Sequence, residues 1–105
     1  MQLKRHRARR YAFQANIELT DVQSETQIRE RTSDLSLFGC HVDTLKPLLP
    51  ETKVRIKIAH RSENFEALGK VVYTRENAGM GIHFTKIEPN DQSVLDKWIA
   101  EQRDQ

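Results

Sequence analysis

The sequence predicts an all-β domain with one helix: a six-stranded antiparallel barrel that a C-terminal helix plugs or flanks. Three observations predict it. Apolar and polar residues alternate with a period of two through most of the chain, the pattern of strands buried on one face. Short clusters of Gly, Pro, Asn and Asp separate these runs. Beyond Pro89 the period changes to that of a helix. At 105 residues the chain is one domain. Its 37% hydrophobic content suffices for one modest core. Six short strands and a single helix are the elements of a small closed barrel.

The elements follow in order. Tyr11, Phe13, Ala15, Ile17 and Leu19 alternate with more polar residues and form the first strand. Asp21 to Glu25 reads as a turn. Thr26 to Thr32 is polar and pairs as an edge or solvated strand. Leu37 to Val42 is the next strand, and Lys46-Pro47 and Leu49-Pro50 end it. Val54, Ile56 and Ile58 alternate with Lys53, Arg55 and Lys57, a one-sided strand. Phe65 to Thr74 is longer and carries Gly69, the mark of a bend or bulge. Glu76 to Gly79 is a hairpin loop, and Gly81 to Thr85 returns from it. Asn90 or Asp91 is a candidate helix cap. Val94, Leu95, Trp98 and Ile99 then share one face of a helix over about 90–103.

Composition removes several function classes. No apolar run approaches the roughly 18 residues of a membrane span. The positive start is followed by alternation rather than the apolar stretch of a signal peptide, so the reading is a cytoplasmic protein without membrane insertion. The single cysteine, Cys40, excludes an internal disulfide framework and a Cys-rich zinc site. Cys40 and His41 are adjacent, so in a strand they face opposite ways and do not share a metal. Cys40 and Trp98 read as packing residues. No G-x-S-x-G, P-loop or H-E-x-x-H occurs, so no enzyme activity and no cofactor are expected.

Charge is unevenly spread. Lys4, Arg5, Arg7, Arg9 and Arg10 place five of the 17 basic residues in the first ten positions, where no acidic residue lies. Residues 11–105 hold the other 12 basic and all 15 acidic residues, a net of −3. The sequence thus divides into a flexible basic arm, 1–10, and a mildly acidic domain, 11–105. Such an arm points to an anionic partner.

The sharpest local signal is D-x-S-x-x-G at Asp34, Ser36 and Gly39. In a strand, Asp34 and Ser36 share a face and present a carboxylate beside a hydroxyl, suited to the N–H-rich edge of a guanine. Gly39 allows a positive φ or a close backbone approach. The plainer reading is a side-chain-closed turn. In the arm, Arg5 and Arg9 form R-x-x-x-R, and Arg10 stands at the entry to the first strand. Arginine forks bind phosphate and the O6/N7 edge of guanine.

Together these features resemble the PilZ domain, a bacterial receptor module for cyclic di-GMP. The arm runs into the strand Tyr11-Ala12-Phe13. D-x-S-x-x-G follows about two dozen residues later. A strand Gly69-Lys70-Val71-Val72-Tyr73 precedes Gly81-Ile82-His83-Phe84, similar to the family's late hairpin, and a helix closes the chain. The resemblance covers nearly the whole chain and implies the six-stranded PilZ-type barrel. It also implies cyclic di-GMP as ligand, with no cofactor. Arg5, Arg7, Arg9, Arg10, Asp34, Ser36 and Gly39 are the candidate ligand residues, with Tyr73 as an aromatic face and Arg75 as a further cation. The literal motif uses Arg5 and Arg9. Counting back from the strand entry instead uses Arg10, puts His6 in the first position and leaves Arg7 to substitute.

Fixing a free ten-residue arm costs roughly 10 kcal/mol of backbone entropy. One charged hydrogen bond returns about 1.5–3 kcal/mol and one stacked base about 1–3 kcal/mol. Several arginines plus a stacked guanine offset that cost; one arginine does not. The expectation is a stand-alone receptor whose arm wraps the ligand and signals to an unidentified downstream effector protein. A nucleic-acid-binding barrel is the rival, disfavoured by the acidic body and the 7% aromatic content. A PilZ-like adaptor without ligand is disfavoured by the intact Asp34, Ser36 and Gly39.

Overall fold

The computed structural model describes residues 8–105. The first predicted strand is two short pieces, β1 (Tyr11–Ala12) and β2 (Asn16–Asp21), laid along one edge of β3 (Gln27–Leu35). β1 pairs with Leu35 and Asp34, β2 with Gln27 through Arg31. Between the pieces regular pairing is interrupted at Phe13–Ala15, where the Phe13 N–H still donates to the Ser33 carbonyl and the Ala15 carbonyl accepts from the Thr32 N–H, and the buried Thr32 side chain bridges the gap. Its Oγ1 donates to the Phe13 carbonyl (2.6 Å) and accepts from the Ala15 N–H (3.0 Å).

The remaining strands are β4 (Gly39–Asp43), β5 (Lys53–His60), β6 (Glu63–Arg75) and β7 (Gly79–Lys86). All pairings are antiparallel. β3, β2, β5, β6, β7 and β4 follow one another around the sheet, and β4 pairs back onto β3. The result is a closed six-stranded barrel with the interrupted first strand counted once, which leaves no long edge unpaired among the described residues.

Alternation fills the interior. In β5, Val54, Ile56 and Ile58 are buried, while Lys53, Arg55 and Lys57 are exposed. Gly69 sits where the β6–β7 register shifts, as its place inside a strand predicted. A Cβ there would stand 2.8 Å from the His83 carbonyl oxygen, so glycine admits the close strand approach.

Several boundaries differ from the sequence reading: β6 and β7 each run one or two residues further at both ends than Phe65–Thr74 and Gly81–Thr85. β3 extends through Asp34 to Leu35, and β4 begins at Gly39 rather than Leu37. Leu37 and Phe38 lie in the intervening turn, 38% and 45% exposed. Helix α1 (Pro89–Arg103) starts with Glu88 as its N-cap, without a side-chain cap bond, and neither Asn90 nor Asp91 is the cap. Proline's fixed φ suits the first helical position. Asp91 instead accepts the Glu66 N–H on β6 (2.8 Å) and ties the helix to the sheet. Buried Leu95, Trp98 and Ile99 form its inner face. Trp98 packs on Phe13 and Phe65, with ring centroids 5.5 and 6.3 Å away. Among the described residues, no helix is long and apolar enough to cross a membrane.

Candidate functional site

Strand register assembles the site. Ala12 lies opposite Asp34, Asp34 opposite His41, His41 opposite Gly81, and Gly81 opposite Tyr73. Paired residues point to the same face of a sheet, so this row runs across five strands on the outside of the barrel. The neighbouring row, Leu35, Cys40, Ile82 and Val71, is buried. Arg75 stands two residues beyond Tyr73, opposite Gly79.

Asp34 anchors one end. Its Oδ1 accepts the His41 backbone N–H (3.0 Å), and its Oδ2 accepts the Arg10 Nε–H (3.4 Å). The root of the arm therefore meets the D-x-S-x-x-G corner. The carboxylate is about a quarter exposed and the guanidinium about half, so solvent screens the pair and it contributes at most about 1 kcal/mol. The Arg9 guanidinium lies over the Tyr11 ring, 5.3 Å from its centroid. The candidates Arg5 and Arg7 lie outside the described residues.

Ser36 departs from its expected presentation. It stands one residue past the end of β3, so strand alternation does not place it beside Asp34. It is buried, and its Oγ accepts the N–H groups of Phe38 (3.1 Å) and Gly39 (3.2 Å) while donating to the Gly39 carbonyl (3.3 Å). Its hydroxyl closes the β3–β4 turn, as the plainer sequence reading had it. Gly39 is required for close approach and has no positive φ: a Cβ would lie 2.1 Å from the Ile82 carbonyl oxygen.

The other end is an aromatic and cationic pair. The Arg75 guanidinium covers the Tyr73 ring at 5.1 Å from its centroid. Tyr73 leans over Gly81, where a Cβ would meet the ring at 2.1 Å. The Tyr73 hydroxyl is 2.9 Å from His41 Nδ1, and His41 Nε2 is 2.7 Å from the Ala78 carbonyl oxygen. His41, set aside in the sequence as a poor metal ligand, thus contacts both ends. Its outward direction was legible from the strand alternation that buries Cys40. Its partners were not, because they come from other strands.

Cys40 is fully buried, and burial first, then the Asp34 charge, pushes its thiol up to about 12. It is a packing residue with no nucleophilic character. Among the described residues, no three His, Cys, Asp or Glu side chains converge on a metal position. The side chains present are acceptors and cations, which suit a polar anionic ligand bearing N–H groups.

Comparisons agree with this architecture. The family model described as PilZ domain matches residues 3–101. The fold is similar to that of the PilZ domain of CeSA from a cellulose-synthesizing bacterium (TM-score 0.73, 17% identity, 90% of this chain and 97% of that one). It is similar to the PilZ domain of YcgR from Escherichia coli, whose structure is with c-di-GMP (TM-score 0.73, 19% identity, 95% and 92%). It is also similar to the Bacillus subtilis inhibitor of motility MotI/DgrA (TM-score 0.73, 17% identity), where 96% of this chain matches 52% of that one. At these identities the likeness is one of fold. No curated protein sequence matches the chain.

Proposed function

The chain belongs to the PilZ domain family, and from that premise we propose that it is a receptor for cyclic di-GMP that acts through a partner protein. The observation that carries this reading is the contact between Arg10 and Asp34. It joins the arm, which bears phosphate-binding guanidinium groups, to the carboxylate that suits a guanine. Asp34 Oδ2 is held by an arginine donor. A guanine N–H replaces that donor on binding, and the freed Arg10 turns to a phosphate or to guanine O6/N7. This exchange leaves Asp34 and Arg10 each with a hydrogen-bond partner. Arg5, Arg7 and Arg9 supply further guanidinium groups, and Tyr73 with Arg75 forms the opposite wall. Ser36 and Gly39 act indirectly by fixing the turn behind Asp34.

The test is calorimetric titration with cyclic di-GMP, which also gives stoichiometry. The wild type binds, and Asp34→Ala weakens binding by roughly 1–3 kcal/mol, tenfold or more. A wild type that gives no binding heat overturns the reading. Amide exchange adds the mechanism: residues 4–11 gain protection only with ligand, and equal protection in both states removes the wrapping arm. The nucleic-acid rival gives a different result, affinity for oligonucleotides that falls steeply with salt.

A further inference from the structure

We propose that His41 is the positioning residue of this wall and makes it selective for a guanine edge over an adenine edge. This inference rests on the reading that the wall takes cyclic di-GMP. One residue holds both ends of the site. The backbone N–H of His41 fixes Asp34 Oδ1, and its ring fixes the Tyr73 hydroxyl.

The proton pattern follows from the partners. The Ala78 carbonyl only accepts, so His41 Nε2 carries the hydrogen and donates to it at 2.7 Å. In the neutral ring Nδ1 is then the acceptor, and at 2.9 Å its donor is the Tyr73 hydroxyl. Tyr73 has one proton and commits it to His41, which leaves only lone pairs on its outward side. Asp34 likewise offers only lone pairs. Asp34 and the Tyr73 hydroxyl therefore offer acceptors alone, with the Arg10 and Arg75 guanidinium groups beside them. A guanine N1–H and N2–H₂ edge donates to acceptors, whereas adenine presents its N1 lone pair at the corresponding place. A hydroxyl free to rotate would suit both bases. The imidazole is therefore a positioning group acting through Tyr73, and Gly81 provides the space that the Tyr73 ring occupies.

The first test needs no ligand. Nitrogen-15 spectra of the His41 ring at pH 8 show a bare Nδ1 and a protonated Nε2; the opposite tautomer overturns the assignment. The second uses cyclic di-GMP and cyclic di-AMP with His41→Leu, His41→Asn, Tyr73→Phe and the double variant His41→Leu/Tyr73→Phe. His41→Leu weakens cyclic di-GMP binding about tenfold, the worth of one hydrogen bond, and narrows its preference over cyclic di-AMP. His41→Asn, which keeps an acceptor near Nδ1, retains most of both. In the Tyr73→Phe background, His41→Leu changes affinity by less than about twofold, because the side chain acts through Tyr73. Wild-type affinity and preference in His41→Leu overturn the proposal. Failure of the wild type to bind cyclic di-GMP overturns the function on which it rests, while the ring-nitrogen spectra still decide the geometry.

Discussion

Gly81 decides what Tyr73 can do. The ring lies where a Cβ would be, 2.1 Å from its Cε2, so Gly81→Ala must push the ring off its seat. The expected outcome is loss of the Tyr73–His41 bond in NMR spectra and a fall of about tenfold in cyclic di-GMP affinity. Loss of that bond with affinity unchanged places Tyr73 outside the site. Single residues were legible in unequal measure. Asp34 was readable because a carboxylate beside a turn glycine is a local pattern. Ser36 was misjudged by one position: the strand ends at Leu35, and a hydroxyl past a strand end finds backbone N–H groups first. His41 was invisible as a site residue because each of its contacts crosses to another segment.

Two elements carry chemistry that alternation does not foretell. β3 reads as polar, yet it is paired on both edges, with buried Thr32 satisfying the break between β1 and β2. Thr32→Val keeps the shape and removes both bonds, stranding the Phe13 carbonyl and the Ala15 N–H. It should lower stability by about 2 kcal/mol in urea denaturation; an unchanged midpoint would deny Thr32 that role. Helix α1 docks through Trp98, whose Nε1–H donates to Glu63 at 3.3 Å beside the Lys97 ammonium at 3.1 Å. The Lys97 bond holds the Glu63 carboxyl below its usual range. His60 lies against Phe13 and Trp98, 4.6 and 5.3 Å between ring centroids. Burial, then the Arg61 charge, lowers its pKa from the usual 6.5, against the weaker pull of Glu101 and Glu63. The unfolded chain therefore takes up a proton more readily than the folded one. Stability from this group is present above about pH 6.5 and is lost as the pH falls through the lowered value. The melting temperature should drop between pH 7 and 5.5, and His60→Phe should reduce that drop. An equal drop in the variant would show that other groups carry it.

The whole molecule has one core that draws on every strand and on the helix. Trp98, the only tryptophan, touches side chains from the break after β1, the end of β5 and the start of β6. Its fluorescence and the backbone circular dichroism should therefore report one coincident urea transition. A helix that melts first would separate the two curves. Charge is also organised at this scale. The domain is acidic in sum, yet Arg29, Arg31, Lys53, Arg55 and Lys57 stand exposed on β3 and β5, a distribution that the net of −3 conceals. The sequence by itself determined the strand and helix periods, the basic arm and the Asp34 corner, since each depends on residues a few positions apart. Only the tertiary structure decided that β4 pairs back onto β3. That closure sets Asp34, His41 and Tyr73 in one row although Tyr73 lies 32 residues beyond His41. Register and closure are fixed by packing of the shared core, which no short stretch of sequence encodes.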